Sequence, residues 1–152
     1  IIKEGWLHTG DEGSIDSDGF LKITGRVKDI FKTSKGKYIA PTPIEMKLSE
    51  NNYIEQVCVV GNGIPQPIAL AVLSESAHAA ADLNESISKT LEDVNNTLEK
   101  HEVLNNIVLL KENWTVENKF LTPTMKIKRN SIEKKYQANY TKWYDEDKIV
   151  KI

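Results

Sequence analysis

The sequence is poor in cysteine, and this scarcity bears on the compartment in which the chain would fold. Cys58 is the only cysteine among 152 residues, so no disulfide can form within the chain. Disulfides are typical of oxidising compartments, and their absence favours a reducing, cytoplasmic location. Because Cys58 lies in an apolar, strand-like run (IEQVCVVG), we expect it to belong to the core.

The chain also lacks a strong net charge and a long apolar run. Its 20 basic and 22 acidic residues give a formal net charge of −2, so no overall field directs it to nucleic acid or to an anionic membrane. No apolar stretch approaches the roughly 20 residues of a spanning helix, and the N-terminus lacks the layout of a signal peptide. The histidines have no metal-ligand spacing with each other or with Cys58, which argues against zinc.

The most informative stretch runs from Gly25 to Glu45 and reads GRVKDIFKTSKGKYIAPTPIE. Polar Lys28 and Asp29 interrupt its β-type pattern, which predicts a strand that bends or ends there. Residues 34–37 (SKGK) predict a hairpin turn in which Gly36 adopts a positive φ and lets another backbone or a ligand approach closely.

The end of this stretch predicts the start of a helix. Thr42 is the predicted N-cap, Pro43 occupies the first helical position, and Glu45 returns a hydrogen bond to the cap, as in a capping box. The helix is expected to run to about Glu50. A capping role would explain Glu45 without any chemistry, so Glu45 is left outside the predicted site.

The rest of the chain alternates strand-like and helix-like segments. They are a hairpin around residues 17–19, adjacent core strands at 54–61 and 67–73, a helix from a capping box at Asp82 to about His101, a short buried strand at 107–110, and one or two closing helices from Asn130. Together they predict an α+β fold: a small mixed or antiparallel sheet of about three strands, flanked by helices and preceded by a β-hairpin segment.

Two segments could carry polar chemistry on residue type alone. Asp11 follows a Thr-Gly turn, and its two carboxylate oxygens suit a vicinal diol such as ribose, although capping of its own turn is the more common role. Residues 121–129 (LTPTMKIKR) predict a rigid, hydroxyl-rich loop from which Lys126 could stabilise negative charge on a phosphate or carboxylate. A solvated basic loop is the plainer alternative. A nucleic-acid patch is disfavoured because interleaved stacking aromatics are missing.

Three motifs, in this order, resemble the C-terminal part of adenylate-forming enzymes: GWLHTGD at residues 5–11, the 25–45 stretch, and LTPTMKIKR. This superfamily includes acyl-CoA synthetases, firefly luciferase and nonribosomal peptide adenylation domains. HTGD, IAP-x-x-IE and TPT-x-K are characteristic of its long-chain fatty acyl-CoA synthetase branch. The resemblance covers nearly the whole chain and implies an AMP-forming ligase that activates a fatty acid with Mg-ATP and transfers the acyl group to CoA.

The resemblance also implies a role for five residues. Asp11 would accept hydrogen bonds from the ribose hydroxyls of ATP, and Arg26 would contact the same ribose and phosphate region. Lys126 would bridge the substrate carboxylate and the α-phosphate during adenylation. Lys28 would be the hinge of a domain rotation, and Gly36 would line the pantetheine tunnel in the second half-reaction. No residue is assigned to a metal.

By the same resemblance, residues 1–25 are the tail of a large N-terminal adenylation domain and residues 26–152 are a mobile C-terminal lid domain. The chain has no initiator methionine and begins in a strand-like run, so we expect an inactive fragment of a longer enzyme. Its partners would be that N-terminal domain, fatty acid, ATP and CoA.

Several alternatives stay open at this stage. The parent could be a fatty acyl-AMP ligase, or another carboxylate adenylator, that loads a carrier protein instead of CoA. The chain could also be a non-catalytic binding module that retains the fold. Peripheral membrane association of the parent is a further option, in which four aromatic residues would serve either as surface contacts or as core: Trp114, Phe120, Trp143 and Tyr144.

Overall fold

The computed structural model describes residues 1–152 and is a mixture of short strands and helices. The strands are β1 (Ile2–Lys3), β2 (Trp6–Leu7), β3 (Asp11–Ile15), β4 (Leu21–Arg26), β5 (Phe31–Lys32), β6 (Tyr38–Ile39), β7 (Ile54–Val60), β8 (Ile68–Leu73), β9 (Ile107–Leu110) and β10 (Ile149–Lys151). The helices are α1 (Pro41–Leu48), α2 (Leu83–Asn95), α3 (Arg129–Tyr136) and α4 (Tyr140–Tyr144). Short 3-10 helices lie at Val27–Asp29, Glu75–Ala79 and Gln137–Asn139.

A four-stranded mixed sheet in the order β10-β9-β8-β7 carries the core. Strands β7 and β8 are antiparallel, whereas β8, β9 and β10 run parallel to one another. Side chains alternate between the two faces: Cys58 and Val60 pack with the residues of α3 and α4, and Val57 and Val59 pack with those of α1 and α2. The α+β prediction is confirmed, and β10 is a fourth strand that it did not contain.

Three antiparallel hairpins, β1–β2, β3–β4 and β5–β6, precede this sheet. Gly19 and Gly36 adopt φ of 86° and 78° in the turns of the second and third hairpins, as the Asp-Gly and Lys-Gly sequences predicted. The second hairpin touches the rest of the chain at Gly25, where a Cβ would lie 3.5 Å from Thr42 Oγ1 on α1. The first two hairpins expose many of their apolar side chains.

The predicted cap of α1 is wrong by two residues. The helix begins at Pro41 with Ala40 in the N-cap position, and no side chain caps it. Proline at the first helical position fixes φ in the helical range, so Pro41 itself starts the helix and Thr42 lies inside the first turn. The Glu45 carboxylate, expected to bond back to the cap, accepts instead from Val59 N at 2.7 Å.

The start of α2 lies where it was predicted, whereas its predicted cap hydrogen bond and its predicted end need correction. Asp82 occupies the N-cap position but makes no capping hydrogen bond, because its carboxylate accepts from the Tyr53 hydroxyl at 2.8 Å. The helix ends at Asn95 rather than near His101. The Asn95 side chain there donates to Leu104 O and accepts from Leu104 N, which ties the chain back on itself and ends the helix.

The aromatic residues considered as membrane contacts are packing residues. Trp114, Phe120 and Trp143 are at most 5% exposed and belong to one core cluster, against which Tyr144 packs. Trp114, Phe120 and Trp143 are therefore not available as surface anchors. None of the helices combines the length and the apolar character needed to cross a bilayer.

Replacing Gly61 should destabilise the fold through a clash. A Cβ there would lie 2.7 Å from Phe31 Cε2 and 3.0 Å from Pro67 Cα, and the latter is backbone that cannot rotate away. We expect Gly61→Ala to lower the free energy of unfolding by about 1–3 kcal/mol, measured by urea denaturation. Gly25→Ala is the matched control, because its Cβ makes only ordinary contact with Thr42. Equal effects of the two substitutions would contradict this packing.

Candidate functional site

Asp11 and Arg26 form an ion pair across the β3–β4 hairpin, where the two residues lie directly opposite each other. Arg26 Nε donates to Asp11 Oδ1 at 3.2 Å, and the two side chains are 67% and 33% exposed, respectively. The second carboxylate oxygen and both terminal guanidinium nitrogens make no hydrogen bond within the chain. The pair thus offers an acceptor that suits a ribose hydroxyl beside donors that suit a phosphate.

Lys126 lies on a tight hairpin that we define as residues 120–128 and call the lysine hairpin. A bridge joins Leu121 to Ile127, and Thr122 N donates to Lys126 O at 2.8 Å. Thr122 Oγ1 accepts from Lys126 N at 3.0 Å, so both backbone groups of the lysine are held. Met125 takes a left-handed φ of 62° at the tip. The exposed Lys126 ammonium makes no hydrogen bond within the chain and is free to meet a ligand.

The first arm of the lysine hairpin is fixed by the core. Phe120 and Leu121 are 5% and 2% exposed, and the Phe120 ring stacks on Tyr136 with centroids 6.0 Å apart. The Tyr136 hydroxyl donates to Glu112 at 2.8 Å. The pKa of Tyr136 is raised to about 12, mainly by burial and secondly by this hydrogen bond. Hydrogen bonds from Lys135 and then Tyr136 lower the pKa of Glu112, so the supporting carboxylate is ionised at neutral pH.

The second arm of the hairpin leads directly to Arg129, whose guanidinium is largely buried. Its Nη1 donates to Val59 O at 2.7 Å and to Cys58 Sγ at 3.2 Å, and its Nη2 donates to Glu45 Oε1 at 2.6 Å. Arg129 and Glu45 are only 13% and 18% exposed. Burial alone would lower the pKa of Arg129, but the pKa rises, because the neighbouring Glu45 carboxylate stabilises the charged guanidinium.

Sequence reasoning missed this pair. Glu45 was given to a helix cap and left outside the site, and Arg129 was counted only as part of a basic loop. The two residues stand 84 positions apart, and each ends a motif, IAPTPIE or LTPTMKIKR. That shared position was the only signal by which the sequence could have pointed to them.

Lys28 and Gly36, the remaining predicted site residues, lie on two other segments of the chain. Lys28 is exposed in the 3-10 turn that follows β4, between extended residues Arg26 and Ile30. Gly36 sits at the tip of the β5–β6 hairpin, where Lys32 Cε is the only atom within 4 Å of its would-be Cβ. No hydrogen bond or ion pair connects that hairpin to the lysine hairpin. The structure therefore joins Asp11 to Arg26, whereas no hydrogen bond or ion pair joins Lys28, Gly36 and Lys126 to one another.

A shallow cavity of about 360 Å³ links Arg26 to the end of the lysine hairpin. Its eight lining residues include three cationic side chains, Arg26, Lys128 and Arg129, and two acidic ones, Asp29 and Glu45. Arg26 thus faces the segment that supports Lys126. Nowhere do three His, Cys, Asp or Glu side chains approach closely enough to hold a metal ion between them.

Comparison with known proteins places this architecture in a family. Residues 28–148 match the model of the AMP-binding enzyme C-terminal domain. The chain belongs to that family. Fatty acyl-CoA synthetase B of Dictyostelium discoideum is 32% identical over 163 residues, which cover 94% of this chain and 24% of the relative. Long-chain-fatty-acid–CoA ligase 5 of Rattus norvegicus is 34% identical over 165 residues, with coverages of 95% and 24%.

The AMP-binding C-terminal domain therefore spans about a quarter of the length of the curated relatives it matches. Its fold is shared with the A-PCP didomain of carboxylic acid reductase from Segniliparus rugosus in complex with AMP, at a TM-score of 0.75 and 21% identity. That match covers 95% of this chain and 21% of the reductase chain. The sequence-based assignment to the C-terminal part of an adenylate-forming enzyme is confirmed.

Proposed function

We propose that this domain is the C-terminal lid of a long-chain fatty acid CoA ligase that forms AMP. The observation that carries the proposal is the Lys126 ammonium, which is exposed and unpaired on a hairpin fixed at both arms. The held backbone fixes the point from which the lysine side chain extends, and a positive charge delivered there can stabilise the negative charge that develops in a reaction. Relatives named as long-chain acyl-CoA ligases or synthetases, matching almost the whole chain, supply the substrate class.

We further propose that residues 1–25 belong to the end of a preceding adenylation domain and residues 26–152 to the lid. The apolar side chains of the first two hairpins support this division: Trp6 is 77% exposed, Phe20 71% and Leu7 68%. Exposed apolar surface of this kind marks a face that another part of a protein covers. The share of about a quarter of each relative is consistent with a large domain ahead of it.

In the proposed first half-reaction, a fatty carboxylate oxygen attacks the α-phosphorus of ATP. An oxygen–phosphorus bond forms, the bond to pyrophosphate breaks, and acyl-adenylate results. Lys126 bridges the carboxylate and the α-phosphate and offsets the negative charge that gathers between them. Asp11 accepts from the ribose hydroxyls, and Arg26, held by Asp11, donates to the ribose and phosphate region.

In the proposed second half-reaction, the lid turns about Lys28. The turn withdraws Lys126 and brings the Gly36 hairpin to the reaction centre, where the CoA thiolate attacks the acyl carbonyl and AMP leaves. Lys28 suits a hinge because its exposed side chain can stay solvated in both states, and a short 3-10 turn between extended residues can absorb a change in φ and ψ. Gly36 suits the tunnel wall because no side chain separates its backbone from a ligand.

Lys126→Ala in the full-length enzyme should separate the two half-reactions. We expect pyrophosphate exchange to fall by at least about 100-fold, the size of effect seen when one preorganised charge-stabilising donor is removed. Thioester formation from supplied acyl-adenylate and CoA should survive, because Lys126 has left the site by then. Lys119→Ala, at another exposed lysine of the same region, is the control. Survival of both half-reactions in Lys126→Ala would remove Lys126 from the mechanism.

The 152-residue chain alone should be inactive. Its proposed contributions to the site are the Asp11–Arg26 pair, which would contact the ribose and phosphate region, and Lys126. The chain covers only about a quarter of each relative. We expect no acyl-adenylate when ATP and a long-chain fatty acid are added to the purified chain. A sensitive assay for released pyrophosphate checks this, and release above the level of Lys126→Ala would contradict it.

A further inference from the structure

The ion pair between Glu45 and Arg129 is the most enclosed charged contact in the molecule. Both side chains are more than four-fifths buried, and the pair is joined by Val59, which donates its N–H to Glu45 and accepts from Arg129. Each charge therefore has at least two partners. Arg129 Nε is buried without a hydrogen-bond partner, and both residues line the cavity beside Arg26, but nothing in the two proposed half-reactions uses the pair.

A buried ion pair contributes little net stability to a fold. Taking two charges out of water costs about as much as their attraction returns, and apolar residues of the same size often do as well. An ion pair with this geometry fixes the position of its two side chains, because the N–H groups of a planar guanidinium donate only within a narrow range of directions. The arrangement is better explained by placement of the chain around it than by stability.

Arg129 lies three residues after Lys126, and the segment between them has little freedom. Lys128 N donates to Phe120 O at 2.8 Å, Ile127 is bridged to Leu121, and Lys126 is held by Thr122. A guanidinium fixed to β7 and α1 therefore fixes the second arm of the lysine hairpin, just as the buried Phe120 fixes the first.

We propose that Glu45 and Arg129 are positioning residues for Lys126. They hold the lysine hairpin against the sheet at the place from which its ammonium reaches the carboxylate and α-phosphate, and they touch no substrate themselves. The chemical part of this inference depends on the proposed function, in which Lys126 is the adenylation lysine. The mechanical part, that the pair immobilises the backbone of Lys126, can be tested without it.

The mechanical part is tested by amide hydrogen exchange on the 152-residue chain. In Glu45→Gln, which keeps the side-chain shape and removes the charge, the Lys126 amide should exchange at least about 10-fold faster, while the Leu70 amide in the central strand β8 should be unchanged. Asp82→Asn is the matched control, since its carboxylate contacts only Tyr53 and lies outside the pair. Unchanged exchange at Lys126, or an equal rise at Leu70, would overturn the proposal.

The chemical part is tested in the full-length enzyme with Glu45→Gln and Arg129→Lys. We expect kcat for pyrophosphate exchange to fall about 10-fold, KM for ATP to change less than about 3-fold, and thioester formation from supplied acyl-adenylate to stay within about 2-fold. The positive charge that Arg129→Lys retains should not preserve adenylation, because one ammonium cannot reproduce the planar guanidinium that bonds to both Val59 and Glu45. Equal losses in both half-reactions would indicate a merely structural role and would overturn the proposal.

These outcomes are separable from failure of the proposed function. If Lys126→Ala leaves adenylation intact, the proposed function fails, and the exchange rates still decide whether Glu45 and Arg129 hold the hairpin. If Lys126→Ala abolishes adenylation while Glu45→Gln and Arg129→Lys leave it unchanged, the function stands and the positioning role is overturned.

Discussion

The buried contact among Arg129, Glu45 and Val59 is the constraint on which the rest of the structure depends. It joins the start of α3 to α1 and to the edge strand β7 of the central sheet. Removing one member would leave a buried charge without its partner, which typically costs about 3–5 kcal/mol. Burial also raises the pKa of the adjacent Cys58 thiol, which therefore stays a neutral packing group beneath the pair.

Four of the residues proposed for function lie outside this fixed centre, and each is an exposed residue on a hairpin. Asp11 and Arg26 pair across one hairpin, Gly36 forms the tip of a second, and Lys126 stands near the tip of a third. Gly36 and Lys126 both follow the proposed hinge at Lys28, so a rigid lid that carries these two hairpins can present one or the other by turning as a whole, without refolding. The proposed alternation of half-reactions uses this property, and the buried pair keeps the body that turns rigid.

Features set by neighbouring residues could be predicted from the sequence, and those set by distant contacts could not. The turns at Gly19 and Gly36 follow from local backbone preferences, and β7 and β8 follow from continuous apolar runs. The predicted capping boxes at Thr42 and Asp82 lack their side-chain hydrogen bonds, because the carboxylates of Glu45 and Asp82 accept from donors elsewhere in the fold. Glu45 found Arg129 and Val59, and Asp82 found Tyr53.

The fourth strand of the sheet and the end of α2 could not be predicted from the sequence, because distant contacts define them too. β10 has only three residues, and it is recognisable as a strand only because it lies parallel to β9. α2 ends where the Asn95 side chain makes two hydrogen bonds to the backbone of Leu104, nine residues further along the chain. The usual sequence signals for a helix C-terminus do not include such a contact. Within the candidate site, motif order predicted Lys126, Asp11 and Arg26, but it gave no indication that Glu45 and Arg129 meet.

A double-mutant cycle in the 152-residue chain tests whether the buried pair holds α1, β7 and the lysine hairpin together. The free energy of unfolding is measured for the unchanged chain, Glu45→Gln, Arg129→Gln and the double substitution. If the pair binds α1, β7 and the lysine hairpin into one body, the two substitutions should be coupled by at least about 2 kcal/mol, as for contacting residues in one network. A coupling below about 0.5 kcal/mol, the value for independent sites, would contradict the account.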